Sequence, residues 1–268
     1  MYQTIGFIGT GTMGGVLARA AAQGSPASQL FFANRTPSKA QELAAELHGQ
    51  AASNEEIAKA CTLIFLGVKP QMMAGVLAEL GPALAGREDR FVLASMAAGL
   101  TTQRIRELAG LDCPVIRLMP NTPAAVGMGV IQVCGLGASQ EELDAFQALL
   151  APAGLVDPVP EALIDAASAV SGCGPAFCAL FLEALADGGV ACGLPRTKAL
   201  AYAAQTMAGT AQLMLQNGTH PSVLKDAVCS PGGSTIQGVR ALERTGVRSA
   251  AFEAVIAAFE KTKELGKQ

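Results

Sequence analysis

The stretch Thr4-Ile5-Gly6-Phe7-Ile8-Gly9-Thr10-Gly11-Thr12-Met13-Gly14 decides the fold of the first half of this chain. Thr4–Ile8 reads as a buried strand. Met13–Gln23 reads as the helix that follows, ended by Gly24 and Pro26. Between them stands G-x-G-x-x-G. By itself this spacing is weak, because glycine-rich turns are common; between a strand and a helix it is a dinucleotide-binding fingerprint. Gly9 makes the tight turn, Gly11 lets a pyrophosphate reach the backbone, and Gly14 lets helix and strand pack closely. Thr10, Thr12 and Met13 belong to the same cofactor-binding loop.

Working outward, short apolar runs alternate with helical patterns. Leu30–Ala33, Leu63–Leu66, Phe91–Ala94, Val115–Leu118 and Val130–Val133 read as strands. Thr36 reads as an N-cap, with Pro37 first in a helix to about His48. Ser139 and Glu142 form a capping box for a helix to Leu150. Strands separated by helices predict a mostly parallel, doubly wound sheet. From Glu161 onward no strand is predicted. Helices are expected over Glu161–Val170, Pro175–Cys192, Pro195–Gln216, Pro221–Val228, Ser234–Arg244 and Arg248–Leu265. The boundary is placed in the loop Asp157–Pro160, giving domains 1–158 and 159–268.

The end of the second strand selects the cofactor. A site for NAD wants a carboxylate there for the ribose diol. This chain has Asn34-Arg35-Thr36 instead. Arg35 suits a 2′-phosphate, and Asn34 and Thr36 can donate to it. NADP is therefore favoured, with NAD possible; the plain alternative is a solvated arginine and a simple cap. Val68-Lys69-Pro70 and Met96-Ala97-Ala98 follow later strands at their carboxyl ends, where such sheets bind ligands. Their small residues suit a nicotinamide ribose. Lys69 is read as a ribose contact or a surface lysine before a catalytic one.

A second motif lies late in the chain. Ser230-Pro231-Gly232-Gly233 precedes Ser234, Thr235 and an apolar-periodic helix. Unpaired amides at such a helix start, with the helix dipole, suit a small carboxylate or phosphate. An ordinary loop and cap is the competing reading.

Composition sets limits. Of 268 residues, 50% are apolar and 15% charged, which hints that a second subunit covers apolar surface. A net charge of −3 offers no basic field for nucleic acid. No apolar run reads as long enough for a bilayer, Ala166–Leu194 being interrupted by Glu183 and Asp187. The first residues carry no basic region ahead of an apolar one, so no signal peptide is expected. Seven cysteines without a C-x-x-C pair, and two distant histidines, predict reduced thiols, a cytoplasmic location and no metal site.

Taken together, Met119-Pro120-Asn121-Thr122-Pro123, Gly172-Cys173-Gly174-Pro175-Ala176-Phe177 and the SPGGST segment, behind G-x-G-x-M-G, resemble pyrroline-5-carboxylate reductase over essentially the whole chain. The resemblance implies an α/β chain: an N-terminal Rossmann-type doubly wound sheet followed by an all-α dimerisation domain. It implies reduction of L-1-pyrroline-5-carboxylate to L-proline with NAD(P)H. It implies a homodimer interlocked through the helical domain, or a ring of such dimers. It assigns the substrate carboxylate to Gly232, Gly233, Ser234 and Thr235. Thr235 then falls beside the ring nitrogen as the catalytic residue, an orienter and not a base. It also implies cofactor contact by Asn121. Cys173 and Phe177 depart from the Ser and Tyr of many members.

Two other enzymes share parts of this pattern. A β-hydroxyacid dehydrogenase carries a lysine four residues beyond the second glycine of its helical-domain motif, where this chain has Cys178. A reductase of another small cyclic imine carboxylate stays open, because the carboxylate motif does not fix ring size.

Overall fold

The computed structural model describes residues 2–25 and 29–265. Pro26, expected to help end the first helix, lies outside them. The first half runs β1 (Thr4–Ile8), α1 (Thr12–Gly24), β2 (Gln29–Ala33), α2 (Pro37–Leu47), β3 (Gln50–Ala51), α3 (Asn54–Ala60), β4 (Leu63–Leu66), α4 (Pro70–Ala85), β5 (Val92–Ser95), α5 (Thr102–Ala109), β6 (Val115–Met119), β7 (Gly129–Leu136), α6 (Gln140–Leu150) and β8 (Gly154–Pro158). The strands form one sheet in the order β3-β2-β1-β4-β5-β6-β7-β8. The order reverses beside β1, which makes the sheet doubly wound.

β4, β5 and β6 are buried at every position. Helices cover both faces, so these strands read as continuous apolar runs and not as alternating ones. Phe7, Phe32 and Phe65 are register neighbours on β1, β2 and β4. The rings of Phe7 and Phe65 stack at 4.5 Å, and Phe146 of α6 closes the row at 5.5 Å from Phe65. One core cluster joins this face to α1, α2 and α6. The other joins the opposite face to α3, α4 and α5. All pairings are parallel except β6 with β7, which is antiparallel. The connection Pro120–Met128 is too short for a parallel crossover.

Downstream come α7 (Glu161–Ser171), α8 (Gly174–Ala191), α9 (Arg196–Asn217), α10 (Pro221–Val228), α11 (Ser234–Arg244) and α12 (Val247–Leu265). Two compact units result, one reaching to Gly172 and taking in the end of α12 from Phe259, the other Cys173–Ala258. By compactness the first unit runs on past residue 158, and Asp157-Pro158 ends an edge strand instead of lying in a loop. A proline is tolerated there. The reason for the extension is polar. Buried Arg117 of β6 pairs with Asp165 of α7 at 2.7 Å. Glu161 of α7 accepts from the Thr102 amide and hydroxyl at 2.7 and 2.8 Å. These bonds hold α7 on the sheet.

In the second unit α8 and α9 pack as a hairpin, with an ion pair between Asp187 and Arg196. Among its described residues only Ala186, Ala199 and Ala203 are buried. Leu215 is 76% exposed and Phe252 68% exposed. A unit that hides so little of its apolar surface needs a further surface against it. Within the helical stretch Glu161–Ala191 an 18-residue window, with mean hydropathy 1.6, also reaches the length and apolarity of a membrane span. In the sequence Glu183 and Asp187 read as interruptions; by length and composition alone the window qualifies, as the core helix of a soluble protein does.

Candidate cofactor cleft and anion-binding turn

The carboxyl ends of β1, β2 and β4 open onto a cleft of about 900 Å³, lined by Ile8, Gly9, Gly11, Ala33 and Gly67 among others. Its floor is backbone. Gly9 has φ +96°, a region costly for any residue with a Cβ. A Cβ on Gly14 would lie 2.2 Å from the Gly9 carbonyl oxygen, so the first turn of α1 packs directly on the β1 loop. A Cβ on Gly11 would meet nothing within 4 Å and would project into open space. Gly11 is the N-cap of α1, and no side chain caps the helix. The Thr10 hydroxyl is buried without a hydrogen-bond partner. An uncapped helix start and the open backbone cradle at Gly11 fit a pyrophosphate, while Thr10 stands outside the cleft lining.

Asn34, Arg35 and Thr36 line the same cleft, as do Val68 and Lys69. The Asn34 side-chain nitrogen donates to the Thr36 carbonyl at 3.1 Å, which shapes the turn. Thr36 occupies the cap position of α2 behind Pro37, yet its side chain makes no capping bond. Lys69 holds the N-cap position of α4, and Pro70 opens that helix.

Other expected positions stand apart from this lining. Thr12 and Met13 begin α1. Met96, Ala97 and Ala98 follow β5, with Ala97 buried and Ala98 exposed. Asn121 follows β6 and has structural partners of its own. It is 7% exposed, its Oδ1 accepts from the Val130 amide, and its Nδ2 donates to the Ser171 carbonyl, both at 2.9 Å. It ties the turn after β6, the start of β7 and the end of α7 together, and one N–H and one lone pair of its amide have no protein partner among the described residues. The cleft also contains residues that the sequence did not announce: Lys39, Ser53, Asn54, Met72, Val76 and Glu79. The Ser53–Glu56 capping box was a legible sign of the helix start that brings Ser53 and Asn54 there.

In the second unit, Ser230–Gly233 forms a tight turn. The Gly233 amide donates to the Ser230 carbonyl at 3.0 Å, and Gly232 has φ +71°. Pro at the second position and glycine at the third are what a type II turn demands. Gly233 then caps α11 without any side-chain hydrogen bond. The first amides of α11 face outward, beside exposed Ser234 and Thr235. His220 has the buttressing role, its Nδ1 accepting from the Ser222 amide at 3.3 Å. Lys225 pairs with Asp226 at 2.8 Å on the surface. The seven cysteines are all unpaired. Burial pushes the Cys61 and Cys134 thiols up to about 12 and about 11, so neither is a nucleophile. Among the described residues no group of three His, Cys, Asp or Glu is placed to hold a metal.

Residues 161–265 match the family model described as pyrroline-5-carboxylate reductase dimerisation. Residues 4–99 match one described as NADP oxidoreductase coenzyme F420-dependent. A pyrroline-5-carboxylate reductase from Synechocystis sp. is 41% identical over 98% of this chain and 98% of its own. The chain belongs to the pyrroline-5-carboxylate reductase family. Solved members share the fold: the Streptococcus pyogenes enzyme has a TM-score of 0.86 at 32% identity, covering 97% of this chain and 98% of its own. The Plasmodium falciparum pyrroline carboxylate reductase, solved with NADP bound, has a TM-score of 0.84 at 31% identity, covering 98% of each chain. As in the family model, the helical half of this pyrroline-5-carboxylate reductase family member is a dimerisation domain.

Proposed function

We propose that this protein reduces L-1-pyrroline-5-carboxylate to L-proline with NADPH. The similarity to pyrroline-5-carboxylate reductases along the whole chain carries this reading. The cleft and the SPGG turn support it, because they offer the two anion sites that the reaction needs.

Gly9, Thr10, Gly11, Thr12 and Met13 would hold the pyrophosphate. Arg35, with Asn34, Thr36 and Lys39, would hold the 2′-phosphate, so NADPH is preferred and NADH accepted less well. Val68-Lys69-Pro70 and Met96-Ala97-Ala98 would border the nicotinamide ribose. When bound, the cofactor supplies the hydride that adds to the imine carbon.

The substrate carboxylate would rest on the amides at Gly232, Gly233, Ser234 and Thr235. That anchoring aims the imine carbon, so proximity and orientation do most of the work. The Thr235 hydroxyl accepts from the iminium N–H and donates to the product amine. Its own acidity is too weak for base catalysis without a partner. Solvent supplies the proton to the imine nitrogen.

The exposed leucines and Phe252 of α8–α12 fit a second copy of this chain, giving a homodimer or a ring of dimers. Unpaired cysteines suit a reducing cytoplasm. Initial rates of NADPH consumption test the reading: fast turnover with pyrroline-5-carboxylate and slow turnover with pyrroline-2-carboxylate or piperideine carboxylates. Equal rates on the six-membered rings would make the protein a general cyclic imine reductase. No consumption with any of them would end the enzymatic reading.

A further inference from the structure

The cofactor cleft has an apolar wall with a carboxylate at its edge. α4 presents Met72, Val76 and Glu79 to the cleft. Spacings of four and three residues put them on one helix face. Ala51 and Ala52, at and after β3, line the cleft as well, with Asn54 at the start of α3. The Asn54 side-chain nitrogen donates to Glu79 Oε1 at 3.1 Å, so the carboxylate is held by a neighbour on a different element. Arg35, Lys39 and Lys69 supply the positive charge of this cleft, and Glu79 is the one carboxylate among the described residues that line it.

A flat heteroaromatic base suits walls of alanine, valine and methionine. On the edge of adenine only the exocyclic amine donates; the ring nitrogens accept. An ionised carboxylate accepts only. Glu79 is therefore matched to that amine and to no other polar group of the base.

We propose that Glu79 selects adenine in the bound dinucleotide by accepting a hydrogen bond from the exocyclic amine, with Asn54 positioning the carboxylate. The inference rests on the NADPH reading above. In the hypoxanthine analogue a carbonyl oxygen replaces the amine and would face the carboxylate, acceptor against acceptor.

Equilibrium fluorescence titration of NADPH and of its hypoxanthine analogue, without imine substrate, tests this. The wild-type protein binds the analogue roughly tenfold more weakly, the worth of a hydrogen bond to a charged group. Glu79→Gln, whose amide also donates, brings the two affinities close together. Glu79→Ala narrows the gap too. Equal affinity of the wild-type protein for both dinucleotides overturns the inference alone. So does an unchanged ratio in Glu79→Gln. Failure to bind either dinucleotide overturns the cofactor reading and this inference with it.

Discussion

A Cβ on Gly67 would lie 2.4 Å from the carbonyl oxygen of Gly9, and a Cβ on Gly9 would lie 2.6 Å from the carbonyl oxygen of Gly67. The two backbones touch where the strand order reverses, and no side chain fits between them. Gly67→Ala should cost about 1–3 kcal/mol of stability through overpacking and weaken NADPH binding with it. Gly11→Ala should behave differently, because nothing surrounds its Cβ. Its melting temperature should stay near wild type while NADPH affinity collapses. Thermal melts with NADPH titrations separate the two. A destabilised Gly11→Ala variant that still binds NADPH would reverse the assignment.

Arg35→Ala removes the guanidinium proposed to meet the 2′-phosphate. KM for NADPH should rise at least about tenfold, while KM for NADH changes little. Steady-state kinetics with both cofactors make the comparison. Parallel changes would deny Arg35 its role in choosing between them.

Thr235→Ala keeps the turn and the α11 amides but removes the hydroxyl. Turnover should fall by about tenfold or more, with the NADPH dissociation constant unchanged. Thr235→Ser should recover much of the loss. A fully active alanine variant would mean that the hydroxyl orients nothing.

Asn121→Ala leaves the Val130 amide and the Ser171 carbonyl without their partner. Each partly buried orphan costs up to about 1–3 kcal/mol, so the melting temperature should drop. NADPH affinity, measured below that temperature, should hold. A stable variant with lost NADPH affinity would return Asn121 to the cofactor.

The sequence was most readable where one physical signal dominated. Ile5–Ile8 and Leu63–Leu66 are buried at every position, and the ends expected for their strands, Thr4–Ile8 and Leu63–Leu66, agree with the structure to the residue. Ser139 and Glu142 make both halves of the capping box. β3 was invisible because Gln50–Ala51 is two exposed residues with no pattern. The end of β8 was read as loop because Pro158 and Pro160 imply a break, whereas an edge strand needs no donor on its outer side. Gly9, Gly11 and Arg35, singled out in the sequence, all line the cleft, because each follows closely on the end of a strand whose position the apolar runs gave away. Asn54 and Glu79 were not legible, since only the packing of α3 against α4 brings them together. The bonds of Asn121 to Val130 and Ser171 were hidden for a related reason. A motif residue with a buried structural duty looks the same in sequence as one that touches a ligand.

The most direct measurement is product analysis after incubating the purified protein with L-1-pyrroline-5-carboxylate and NADPH deuterated at the transferring carbon. The account predicts L-proline carrying one deuterium on the former imine carbon, formed in step with cofactor oxidation. Unchanged substrate, or proline without the label, would contradict it.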